Sequence, residues 1–343
     1  MPSNKAHFYT YSMKRFLLFV GILCATNSYA QQLFTLQGKA QGTYYIVKYV
    51  ADSQRVTQAE VEALFSKMDS SLSLYKGYSR INYFNAHKSV EMDAYMETVV
   101  RKAMDTYQRT NGLFDITVKP LVDIWGFGVK RKQGVPAKDS IAALLPLVST
   151  KYLSIKKHQL FKRKNNVEID CNGIAQGYTT DVIADYLVSK NIERYLVDVG
   201  GELRAAGNNS QNKIWTVGIE RPTSDGDDVI PSTALVSLHN KAIATSGNYR
   251  RFFDEGHTRF AHTINPKTGE ALHNNIVSVT VIANDCITAD AYDNVLILLG
   301  VEKGLDFVKK HPHLQLHAYY IYKNSDGNIE EKYSEGFAQY FVK

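Results

Sequence analysis

Two periodicities alternate along the chain. Val61, Leu64, Phe65 and Met68 recur at helical spacing, directly after Thr57-Gln58-Ala59-Glu60, which reads as a capping box. Glu91 to Arg109 predicts a second helix, stopped near Asn111-Gly112, and Asp181 to Lys190 a third. Thr288 to Leu299, closed by Gly300, and Glu302 to Lys310 complete the helical set. Strand-like runs cover Leu36 to Val50, punctuated by Gly38 and Gly42, and Tyr195 to Val199 ahead of a Gly200-Gly201 turn. Further strands are expected over Leu203–Ala206, Trp215–Ile219, Leu235–Leu238 and Val277–Ala283. Helices grouped early and strands grouped later predict an α+β fold rather than a wound parallel sheet. No linker, low-complexity tract or solenoid repeat interrupts residues 31–343, so a single domain is expected there.

Residues 1–30 carry a different signal. Lys14 and Arg15 precede the apolar run Phe16 to Cys24, and Ser28-Tyr29-Ala30 makes a small-x-small cleavage pattern. The apolar run is too short to span a bilayer. It therefore reads as a removable export signal, placing the mature chain in the periplasm, where it could associate with the membrane surface, and leaving no transmembrane span. Cys24 is a poor lipidation site because bulky Leu23 precedes it, which favours clean export over lipid anchoring. Removal takes three of the 40 basic residues and none of the 34 acids, leaving a net charge of +3. That balance argues against a strongly electrostatic nucleic-acid binder. Cys171 and Cys286 remain, and whether they pair is open from sequence.

The candidate chemistry centres on Ile169 to Asp181. There a short apolar run (Val167 to Ile169) meets Asp170, then Gly173 and Gly177, then a helical pattern. Such a layout lets backbone approach a ligand and aims a helix N-terminus at it, which favours an anion such as phosphate. Five other segments could converge on it. Gly112 to Thr117, with Trp125-Gly126-Phe127-Gly128 beyond, offers Asp115 as an acceptor for a ribose hydroxyl or a ring N–H. Leu72 to Ser79, followed by Asn82 and Asn85, offers Tyr75 for stacking on a flat ring. Thr245-Ser246-Gly247 offers hydroxyls and N–H groups. His262, ahead of Thr263-Ile264-Asn265-Pro266-Lys267-Thr268-Gly269, is placed to accept a proton from a hydroxyl near neutral pH. Finally, Asp290 and Asn294 lie four apart on one helix face, a spacing of oxygen ligands that suits a hard cation such as Mg²⁺.

In chain order these segments resemble the ApbE family of FAD:protein FMN transferases, from about Gln37 to Gly300. Its most specific pieces here are Gly112 to Thr117 with Trp125 to Gly128, Gly173 to Tyr178 with Asp181, Thr245 to Gly247, and His262 to Gly269; Gly200-Gly201-Glu202 also fits. The resemblance implies a T-fold-like core with a mixed or antiparallel sheet and packed helices. It implies Mg²⁺-dependent transfer of FMN from FAD onto a Ser or Thr hydroxyl of a partner flavoprotein, an electron-transfer subunit at the membrane, with release of AMP. It assigns FAD contacts to Gln41, Tyr75, Leu113, Phe114, Asp115, Asp170, Gln176, Thr245 and Ile264. Gly173 (through its carbonyl), Asp290 and Asn294 would hold the metal, and His262 would be the base. The chain departs from the family's usual residues at Gln41 (Met), Gln176 (Lys), Asn248 (Asp) and Asn294 (Thr). Asn294 still offers a carbonyl oxygen, and Asp293 is a further oxygen ligand in reserve. These departures keep three other readings open: an FAD pyrophosphatase, a non-catalytic exported FAD-binding protein, and a binder of another nucleotide.

Overall fold

The computed structural model describes residues 31–129, 134–222, 229–248, 252–255 and 258–342. The expected export signal, residues 1–30, lies outside them. The main sheet has eight strands: β1 (Gln32–Ala40), β2 (Thr43–Ala51), β3 (Tyr195–Val199), β4 (Glu202–Ala206), β5 (Lys241–Gly247), β6 (Ile276–Ala283), β7 (His317–Lys323) and β8 (Ile329–Tyr333). They lie side by side in that order, and every neighbouring pair is antiparallel. The fold is therefore α+β, as expected from the sequence. The β1–β2 hairpin turns through Gln41 and Gly42, both at positive φ (52° and 77°), the two-residue geometry that matches the twist of paired strands.

The excursion from β2 to β3 carries α1 (Gln58–Leu72), α2 (Arg80–Ala86), α3 (Ala94–Arg109), α4 (Lys119–Ile124), α5 (Lys138–Leu144) and α6 (Asn172–Ser189). It also holds a small three-stranded sheet over Ser89–Glu91, Gln159–Lys162 and Leu153–Lys156. The excursion from β6 to β7 holds α7 (Cys286–Leu299) and α8 (Val301–Lys310). The Thr57 capping box forms as read, with Thr57 and Glu60 exchanging side-chain-to-backbone bonds. Gly300, at φ 80°, closes α7.

Side-chain alternation divides the sheet into two faces. Ala244, Val279, Val281, Ala318 and Tyr320 face the helices and share a core with Leu296 and Ile287 of α7. Ile243, Ile282, Tyr319 and Ile321 face the other way, beneath Trp215, Val236 and Phe337 of a covering hairpin and C-terminal turn. On the helical side α6 rests on β3 and β4, α7 rests on β5 and β6, and the two helices pack on each other. No helix among the described residues is long and apolar enough to cross a membrane.

Candidate functional site

α6 begins at Asn172, nine residues before the sequence pattern suggested. Gly173 and Gly177 read as turn residues but sit in its first two turns. Gly177 is there because α7 crosses it closely: a Cβ at Gly177 would lie 2.6 Å from the Cβ of Asp290 and 2.9 Å from the carbonyl carbon of Cys286. Gly173 departs from helical geometry (φ −82°, ψ 16°) and kinks the first turn. In a regular helix the Gly177 N–H would be aimed at the Gly173 carbonyl. Here it donates to Oδ2 of Asp290 at 2.7 Å, while the Gly173 carbonyl accepts from Nδ2 of Asn294 at 3.3 Å. The three residues expected to hold a metal are thus gathered where α6 and α7 meet, though Gly173 lies more than a hundred residues from the other two.

The acids at this crossing are buried. Asp290 and Asp293 are 5% and 2% exposed, and burial holds both carboxyls above the ordinary Asp range. The charges bearing on them are other carboxylates, Asp181 on Asp290 and Asp290 with Glu202 on Asp293, which push the same way. Asp181 is differently placed. Its two oxygens accept from the Cys286 and Ile287 N–H groups at 2.9 and 2.8 Å, so a side chain of α6 caps the start of α7. Arg204 of β4 reaches Asp181 and Asp185, each at 3.0 Å. Burial nevertheless pushes Asp181 up to about 6, against the pull of Arg204. Among the described residues no three His, Cys, Asp or Glu side chains form a metal-binding group. A cation here would draw instead on carbonyl and amide oxygens beside carboxylate, an all-oxygen set of hard-cation type.

Some of the other expected segments tie to α6 or to the stretch leading into it, whereas His262 and Ile264 pack on the 121–127 segment. Asn82 donates to the carbonyls of Ser73, Leu74 and Lys76 and so holds the turn that displays Tyr75, which is 59% exposed. Asn85 clamps Ile169 from both sides, accepting from its N–H at 2.8 Å and donating to its carbonyl at 2.9 Å. The neighbouring Asp170 N–H donates to the Ile116 carbonyl at 2.7 Å, which docks Leu113, Phe114 and Asp115 beside the start of α6. Gln176 donates to the Val199 carbonyl at 2.7 Å and to Glu202. Gln41 reaches Thr179 at 3.4 Å. His262 lies edge-on to Phe127, ring centres 6.5 Å apart, and buried Ile264 packs with Trp125 and Leu121.

Several details differ from the sequence reading. Val167 to Ile169 is not a strand, and the N–H of Asn172 is already taken at 2.7 Å by Oδ1 of Asp170. The anion nearest the α6 N-terminus is therefore the protein's own carboxylate, raised by burial to about 6. Asp115 is a structural hub: Oδ1 accepts from the Thr117 N–H and from the hydroxyls of Thr117 and Thr150, and Oδ2 from the Thr150 N–H. Those four donors match its acceptor capacity. Thr245 shares the face of Ile243, away from α6 and α7, and its hydroxyl pairs with Thr280 at 2.9 Å, whereas Ser246 faces the helices. Cys171 and Cys286 are both buried free thiols. The sequence reading missed Arg204 and the capping role of Asp181; their partners lie too far along the chain for any local signal.

Comparison with known proteins gives a consistent result. The ApbE family model matches residues 41–319. A protein of Vibrio cholerae serotype O1 named FAD:protein FMN transferase is 34% identical over 331 residues, covering 94% of this chain and 96% of its own length. A protein of the same name from Escherichia coli K12 is 32% identical, covering 88% of this chain and 87% of its own. Among solved structures, the flavin transferase ApbE of Vibrio cholerae superposes with a TM-score of 0.81 at 32% identity, covering 90% of this chain and 99% of that one. The apo form of the Pseudomonas stutzeri flavinyl transferase ApbE gives 0.82 at 29% identity, covering 92% and 99%.

Proposed function

Because the chain belongs to the ApbE family, we propose that it is an FAD:protein FMN transferase, moving the FMN half of FAD onto a Ser or Thr hydroxyl of a partner flavoprotein and releasing AMP. The observation that carries this reading is the meeting of the Gly173 carbonyl, Asp290 and Asn294 at the α6–α7 crossing, with the 113–117 turn bonded to Asp170 just before α6 and the Tyr75 turn held by α2, which also clamps Ile169. The same name is borne by relatives that match nearly the whole chain.

The residues present fit a hard cation. Two buried acids share one turn of α7, with Asp290 pushing Asp293 further up. The Gly173 carbonyl stands beside them, accepting from the Asn294 amide, which would have to turn over to offer its oxygen to a cation. Gly173, Asp290 and Asn294 would hold it. A bound Mg²⁺ supplies charge neutralisation on the pyrophosphate as its bridging bond breaks. The chain's own residues do the rest. Tyr75 offers an exposed ring for the flavin or adenine. Asp115 ties the 113–117 turn to Thr150. His262 takes the proton from the attacking hydroxyl, whose oxygen joins phosphorus as AMP departs. Ile264 and Trp125 back the histidine loop with apolar contacts. The N-terminal signal implies that this occurs outside the cytoplasm, with an electron-transfer subunit at the membrane as acceptor.

The test is incubation of the chain lacking residues 1–30 with FAD and Mg²⁺, with and without a Ser/Thr acceptor flavoprotein. Acceptor-linked flavin fluorescence after denaturing electrophoresis, with AMP in equal amount, is expected. AMP without any acceptor would make the enzyme a pyrophosphatase, and intact FAD on an inert protein would make it a binder.

A further inference from the structure

His262 stands in a short hairpin whose main chain is paired on both sides of it. The Ala261 N–H donates to the Leu272 carbonyl at 3.0 Å, and the Leu272 N–H donates to the Thr263 carbonyl at 2.8 Å. Further out, Ile264 bridges Ala271. The Asn265 N–H donates to the Glu270 carbonyl and the Gly269 N–H to the Asn265 carbonyl, both at 2.8 Å. These bonds stiffen the hairpin internally without fixing where it stands. Its tip is held from outside: the Gly269 carbonyl accepts from the indole Nε1 of Trp125 at 2.8 Å, across 144 positions of chain. Trp125 is 2% exposed and anchored at the end of α4, where its main-chain N–H donates to the Leu121 carbonyl at 3.1 Å. Two residues on, Phe127 sets its ring edge-on to His262, and its N–H donates to the Val122 carbonyl at 3.1 Å. The end of α4 therefore meets the hairpin twice, at its tip and at its histidine. A buried indole N–H needs a partner wherever it lies. The second contact, on the histidine ring itself, is what links this bond to the chemistry.

We propose that Trp125 is a positioning residue: by holding the Gly269 carbonyl, its indole N–H sets where the His262 ring meets the incoming hydroxyl. This rests on the reading of His262 as the base and adds to it the residue that aims it. Trp125 acts through the hairpin and takes no proton itself. Without the bond the hairpin keeps its own ladder but loses its anchor, and a displacement of about 1 Å at the reacting atoms can cost about 10²-fold in rate.

Trp125→Phe keeps a ring in the slot and removes the N–H. In the flavin transfer assay it is expected to lower kcat by about 10- to 100-fold. KM for FAD should stay within about twofold, the mark of an interaction that matters in the transition state alone. On a His262→Ala background the same substitution should add nothing, whereas a general loss of structure would cost both backgrounds alike. In the protein without FAD, the nuclear magnetic resonance signal of the His262 ring, assigned by its absence from His262→Ala, should move in Trp125→Phe. Thermal melts followed by circular dichroism verify folding. Gly269→Ala reaches the same bond from the other side, since Gly269 sits at φ 75° and an added Cβ would lie 2.5 Å from Cγ2 of Ile141. It takes the place of the tryptophan variant if that one does not fold. Equal losses in both backgrounds, or an unmoved histidine signal, overturn the proposal while leaving His262 as the base. Full turnover in His262→Ala overturns the base reading, and the proposal with it.

Discussion

Gly177 is the point at which packing and chemistry are hardest to separate, and Gly177→Ala tests whether the crossing is built as described. An added Cβ would stand 2.6 Å from the Cβ of Asp290 and 2.9 Å from the Cys286 carbonyl carbon, where ordinary contacts begin at 3.4 Å. Both neighbours belong to α7, whose far side is packed into the core with Leu296 and Tyr292, so α6 and α7 must part by close to an ångström. Overpacking of this kind costs about 1–3 kcal/mol. The Gly177 N–H bond to Asp290 stretches with it, and a hydrogen bond to a buried charged group is worth about 1.5–3 kcal/mol. Against these, alanine is the better helix former by about 1 kcal/mol. The net loss is then on the order of 3 kcal/mol, read as a lower urea midpoint at unchanged slope. Gly77→Ala is the control, since nothing lies within 4 Å of its Cβ and its φ needs no glycine. If Gly177→Ala unfolds at the same urea concentration as the parent, or a higher one as propensity alone demands, the close crossing is wrong.

Two further outcomes follow from the same geometry. Burial raises Asp170 and Asp181 to about 6, above the ~3.9 of an unfolded Asp, so the fold favours their protonated forms; that stabilisation is present below about pH 4 and is lost as pH rises through about 6. Asp290 is raised in the same sense, and a cation competes with its proton, so Mg²⁺ should raise the melting temperature more at about pH 8 than at about pH 5; an equal gain at both would count against the cation site. In the flavin transfer assay Asp290→Ala should lose more turnover than His262→Ala, because a general base contributes a factor of about 10² to 10⁴ while charge neutralisation on a pyrophosphate is the larger need. A greater loss in the histidine variant would reverse that ranking.

What the sequence revealed was what neighbours along the chain decide. The Thr57 capping box and the Gly300 stop involve groups within four residues, and both formed as read. β3 was legible because Tyr195 to Val199 is almost wholly apolar. β5 was not, since Lys241-Ala-Ile-Ala-Thr-Ser-Gly247 has few of the bulky residues that announce a strand, and it is fixed by pairing with β4 and β6. α2 and α5, at seven residues each, are too short to show a period. The start of α6 was missed for a physical reason. Glycine signals a turn only when nothing else demands a bare α-carbon, and at Gly177 another helix does. The site's segments were legible through the family resemblance. The atoms were not: which oxygen of Asp181 meets which N–H, or that Thr245 faces away while Ser246 faces in, depends on contacts across the sheet.

A core under selection for stability alone would not keep Asp290 and Asp293 on one turn of α7. Buried like charges repel, and apolar residues of similar volume commonly replace such groups without loss. Asp181 and Asp115 have structural employment, one capping α7 and the other tying Thr117 to Thr150, so their burial is offset by hydrogen bonds. Asp290 has one such bond, from Gly177, and Asp293 has one, from Asn294. Carboxylates normally accept more. For these two acids the shortfall falls where the Gly173 kink brings a main-chain carbonyl alongside, and where the next residue on α7 is an amide rather than another acid. An under-satisfied group of oxygens assembled from two helices makes sense as a receptor for positive charge, and that is why removal of a cation should be felt first as lost stability at alkaline pH, before any assay of flavin transfer is run.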